Sequence, residues 1–111
     1  MAELPEGLPA TIKIGYKDFA IIAWAVVEAM DANRYGETAH QASVIRIDFS
    51  HGLHKSAHTL LHEIMHACSA FMGLVDEDKE ERYVTALSNA LATAWRDNPD
   101  VFAWLDRNLA A

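Results

Sequence analysis

The chain has 111 residues, half of them apolar, and a formal charge of −7 from 16 acidic and 9 basic side chains. This is enough for one thin core, and too apolar for a disordered chain. No basic stripe is available to displace counterions from phosphates, so nucleic acid is an unsuitable partner, and an anionic membrane surface is disfavoured for the same reason.

The first ten residues, with Pro5, Gly7 and Pro9, read as a loose arm, and residues 11–111 as a single domain. The arm carries Glu3 and Glu6 and lacks both a basic start and a long apolar run, so it does not read as a signal peptide. Ile12 and Ile14 alternate with polar neighbours and predict a strand, a turn spans Gly15 to Asp18, and Phe19 to Ile22 returns as a second strand. The apolar run from Phe19 to Val27 is too short to span a bilayer. A short helix is expected from Ala23 to Ala32, stopped near Asn33 and Gly36. Val44 to Phe49 is the clearest strand, and residues 36–41 are its hairpin partner across Ala42.

Two long helices follow, one over about 54–72 with Gly73 as its stop, the other from Asp76 or Asp78 as cap to about Asp97. Asn98 and Pro99 read as cap and first turn of a last helix bearing Val101, Phe102, Trp104 and Leu105. Strands first and helices after predict an α+β fold. Cys68 is the only cysteine, so no internal disulfide can form, and a reducing, cytosolic setting is expected.

The chemistry concentrates in His62-Glu63-Ile64-Met65-His66. On a helix turning about 100° per residue, Ala57, Leu60, Leu61, Ile64, Cys68 and Phe71 share one broad apolar stripe. His62 and His66 fall nearly opposite it, roughly 40° apart, where two imidazoles can reach one Zn2+ ion. Glu63 lies on the flank, where a base must stand to take a proton from a water on that ion. A third ligand is expected from the acidic segment downstream. Glu80 and Glu81 both lie near the inward face of the next helix, marked by Val84, Leu87, Leu91 and Trp95, and periodicity does not choose between them. Asp78 with Glu81 also makes a capping box, which explains the same acids without a metal.

Thr59-Leu60-Leu61-His62-Glu63-Ile64-Met65-His66, then Glu81-Arg82-Tyr83-Val84 and Trp95-Arg96-Asp97-Asn98-Pro99, resemble small phage and prophage zinc metallopeptidase-like proteins. These are related to the gluzincins and more loosely to the ImmA/IrrE-type metallopeptidases, and Tyr35-Gly36-Glu37 and Ile45-Arg46-Ile47-Asp48 extend the likeness over most of the chain. The resemblance implies a minimal zincin-like fold, in which a small antiparallel or mixed sheet packs on the histidine-bearing helix and a glutamate-bearing helix follows. It also implies His62, His66 and Glu81 as zinc ligands and Glu63 as general base. Gluzincin peptidases usually add a His or Tyr for the oxyanion, and no residue here stands at an obvious equivalent.

His58, one turn before His62, and Tyr83 are the candidates to complete a site, although a solvated histidine and a core tyrosine are the plainer readings. An extended substrate in such a cleft would pair with an edge strand, and residues 36–41 are the candidate edge. The expected activity is therefore hydrolysis of a peptide or protein, with selectivity supplied by a phage or host protein, since so short a chain has little material for specificity pockets. The alternatives are a zinc site that stabilises the fold or a partner interface without turnover, and a metal-free helical interaction module.

Overall fold

The computed structural model describes residues 3–73 and 80–110, except the side chains of residues 80–82, 84 and 85. In chain order they form β1 (Thr11–Ile14), β2 (Lys17–Ala23), α1 (Val26–Ala32), β3 (Gly36–Ala39), β4 (Val44–Ile47), a 3-10 turn (Phe49–His51), α2 (Leu53–Phe71), α3 (Glu80–Asp97) and α4 (Pro99–Leu109). The fold is α+β. Its sheet is mixed, in the order β1-β2-β4-β3, with β2 and β4 parallel and the other two pairs antiparallel.

One face of the sheet is apolar because the strands alternate. Ile12, Ile14, Phe19, Ile21, Ile45 and Ile47 are all buried, and they pack with Ala57, Leu60, Ile64 and Cys68 from the apolar stripe of α2. α4 closes the core with Val101, Phe102, Trp104 and Leu105. α2 ends as expected, with Gly73 just past Met72 at a φ of 69°, and its N–H bonded to the Ala70 carbonyl. Among the described residues no helix is long and apolar enough to cross a membrane.

Several expectations shift. The N-terminal arm is docked, with Leu8 buried in the core cluster and Leu4 packed against it. β2 runs on to Ala23, so α1 begins only at Val26. The inward face of α3 is set by the small residues Ala90 and Ala94, flanked by Leu87 and Leu91. Trp95 is displaced to the flank, 57% exposed and stacked on Phe102. Phe71 also leaves the buried stripe, lying half-exposed against Tyr16. The expected caps Asp76 and Asp78 lie outside the described residues.

Asn98 does not cap α4 with its side chain. Its Oδ1 accepts from the Lys13 N–H at 2.8 Å, and its Nδ2 donates to the Lys13 and Ala94 carbonyls, each at 2.7 Å. The amide thus serves edge strand β1 as a one-residue pairing partner and ties it to the end of α3. Asp48, by contrast, caps the 3-10 turn with its side chain, accepting from Ser50 N at 2.9 Å and standing 3.1 Å from His51 Nε2.

Candidate functional site

α2 carries the site because its apolar stripe fixes its rotation. With Leu60, Ile64 and Cys68 pinned to the sheet, His62 and His66 are left exposed on the opposite side. Their Nε2 atoms lie 3.1 Å apart, with the rings nearly perpendicular and their centroids 4.7 Å apart. Two nitrogens that bind one zinc ion at 2.0–2.1 Å with a tetrahedral angle stand roughly 3.3 Å apart. The observed spacing corresponds to an angle of about 98°, so the pair fits the ion with little rotamer change.

Glu63 is more buried than a flanking position requires, at 6% exposed, and the cause is β3. At Gly36 the strand comes so close to α2 that an added Cβ would stand 2.7 Å from Thr59 Cγ2. Two residues on, Thr38 Oγ1 meets Glu63, donating to its Oε1 at 2.6 Å and lying 3.2 Å from its main-chain oxygen. One carboxylate oxygen is therefore held by the strand, and Oε2 is free of that tether.

A cavity of about 740 Å3 opens between α2 and β3. His58, His62, Glu63 and His66 line it from the helix, and Thr38 and His40 from the strand side. β3, within the candidate edge of residues 36–41, is one of the sheet's two edge strands. Asp48 N bonds Tyr35 O, and the β3–β4 register continues that alternation, so Glu37 and Ala39 are the residues hydrogen-bonded to β4. The main-chain groups of Gly36 and Thr38 consequently point away from β4, toward the open edge.

His40 was not singled out by the sequence, because it belongs to no helical or metal spacing. It opens the turn from β3 to β4, where its carbonyl accepts from Ser43 N at 3.2 Å and from Lys17 Nζ, and its ring packs edge-on to Phe19. Burial pushes the imidazole below its usual pKa; the nearby charges of Lys17 and His66 act in the same direction, and Glu63 opposes them. His40 thus stands within electrostatic reach of the motif across the cavity, as a neutral ring at pH 7.

Among the described residues no group of three or more His, Cys, Asp or Glu side chains is placed to hold a metal ion; His62 and His66 form a pair. The side chain of Glu81, the expected third ligand, and that of Glu80, its rival, lie outside the described residues. Tyr83, two residues after Glu81, is described. Its hydroxyl is 3.0 Å from Ser69 Oγ, so it lies along α2 instead of lining the cavity. Ser69 lies about 20° from His62 around the helix, so this contact sets the start of α3 beside the face that bears the histidine pair. Cys68 is fully buried, and that burial pushes its thiol up to about 11, which removes it as a ligand.

The chain matches no protein-family model, no curated protein and no solved structure.

Proposed function

We propose that this chain is a zinc-dependent hydrolase of peptide bonds, of the small phage and prophage metallopeptidase-like type that its sequence resembles. The observation that carries the reading is the juxtaposition of the His62–His66 pair, spaced for one ion, with a tethered glutamate in the wall of the same cavity. His62 and His66 would hold the metal, with Glu81 as third ligand. The Tyr83–Ser69 contact supports that assignment by bringing the first turn of α3 alongside the pair. Zinc, when bound, polarises a carbonyl and lowers the pKa of a coordinated water toward about 7.

The chain's own residues supply the rest. Thr38 occupies Oε1 of Glu63, which leaves Oε2 to take a proton and return it to the leaving amine. The outward main-chain groups of Gly36 and Thr38 would pair with an extended peptide, placing its scissile bond beside α2. His40, a neutral imidazole on the far wall, would donate to the oxygen that gains charge. A phage or host protein partner would add selectivity.

Glu63→Gln tests the reading against a purely structural zinc site. The variant should keep its zinc and its fold and lose at least a hundredfold of the zinc-loaded protein's peptide-cleaving rate, the size of a general-base contribution. Unchanged cleavage of a fluorogenic peptide library by this variant would refute the assignment.

A further inference from the structure

α2 carries a second pair of histidines at the same spacing. His54 and His58 lie one helical turn apart, with ring centroids 4.7 Å apart and planes 68° apart, the same centroid spacing as His62 and His66. Both are exposed. The rings along the helix therefore couple in twos, 54 with 58 and 62 with 66.

What distinguishes the outer pair from two solvated side chains is the way His54 is held. Its Nδ1 lies 3.1 Å from the main-chain oxygen of Asn108, near the end of α4. A carbonyl can only accept, so Nδ1 carries the hydrogen and the Nε2 lone pair is left free. A carbonyl behind one ring nitrogen fixes tautomer and orientation in metal-ligating histidines too. Three electrostatic influences act on a cation there. The start of α2 repels it, while the carbonyl end of α4 and the chain's overall negative charge attract it.

We infer that His54 and His58 form a second site for a divalent transition ion such as zinc, nickel or copper, separate from the His62–His66 pair. Imidazole suits these ions, and water would fill the remaining positions. Eight residues separate corresponding members of the two pairs, roughly 12 Å along the helix, so both can be filled at once. The outer site is the weaker of the two, having two protein ligands and an opposing helix terminus. His58 also lines the cavity, so an ion held there sits at one end of the cleft. The inference stands on the outer pair alone and does not depend on the proposed hydrolase.

Calorimetric titration of the full chain with zinc chloride at pH 7.5 tests it. The wild type should take two equivalents, the second at least about tenfold weaker than the first. His54→Gln with His58→Gln should leave only the tight one. His62→Gln with His66→Gln should leave only the weak one. All four side chains are exposed, and circular dichroism of each variant is the control that its helices are kept. An outer-pair variant that takes up as many equivalents as the wild type would overturn the second site. Loss of the weak equivalent on removing the outer pair, with the tight one surviving removal of the inner pair, would support this site while refuting the proposed zinc centre.

Discussion

Thr38→Val removes the hydroxyl that holds Glu63 and changes almost nothing else in shape. The lost bond is 2.6 Å long and runs to a carboxylate that is 6% exposed. Hydrogen bonds to charged groups contribute about 1.5–3 kcal/mol. Here the oxygen adjoins an open cavity and water can partly replace the donor, so about 2 kcal/mol is expected. The 3.2 Å approach of the same hydroxyl to the Glu63 main-chain oxygen adds little, because one hydrogen serves both. At about 4 °C per kcal/mol for a domain of this size, the melting temperature should fall by about 8 °C. Thr38→Ser should recover most of that. In a Glu63→Ala background the same valine substitution should cost under about 0.5 kcal/mol, since the partner is gone. Thermal melts of the four proteins in the cycle decide the matter. An equal loss in both backgrounds would show that Thr38 stabilises the strand and not the glutamate.

Further outcomes follow from other buried groups. Cys68, with its thiol pushed up to about 11, should resist iodoacetamide at pH 8 in the native state and react on unfolding; rapid native labelling would contradict its burial. For Asp48, burial opposes ionisation, but the bonds from Ser50 and the neighbouring His51 outweigh it and hold the carboxyl below its ordinary value of 3.8. A depressed folded-state pKa adds stability above the unfolded value and loses it as pH falls through the folded one. Asp48→Asn should therefore melt below wild type at pH 7, with the gap narrowing as the pH falls below 3.8; a gap that is constant with pH would refute the charge argument. Asn98→Asp should be destabilised by about 1–2 kcal/mol in denaturant titration, because its carboxylate cannot donate to the Lys13 and Ala94 carbonyls. A simple helix cap would tolerate that change, so wild-type stability would restore the capping role.

How far the sequence revealed these features depended on how local each signal was. The rotation of α2 was legible because Leu60, Ile64 and Cys68 repeat at helical spacing, and that repeat alone directs His62 and His66 outward. The hairpin of β3 and β4 was legible from one strong alternating strand and a polar partner. The parallel pairing of β2 with β4 was not, since strand order is decided by the whole chain's packing. Thr38 and His40 escaped as site residues because they reach the cavity through the lean of the edge strand onto α2, which depends on Gly36 meeting Thr59 and leaves no period in the sequence. Trp95 was misplaced because wheel arithmetic favours a large apolar side chain inside, whereas among the described residues of α3 the close approach to the core buries the small Ala90 and Ala94. Asn98 looked like a cap for the same reason, as its residue type and neighbours carry a local meaning that a contact 85 residues away in sequence overrides.

Zinc content is the most direct measure of the account. Purified protein loaded with zinc, dialysed to remove weakly held ions and analysed by mass spectrometry should retain one ion per chain. Chelation should lower its melting temperature, His62→Ala and His66→Ala should each lose the ion, and Glu81→Ala should weaken it where Glu80→Ala does not. Wild-type protein that retains no zinc, with a melting temperature indifferent to chelator, would contradict the claim that the paired imidazoles of α2 are a metal centre.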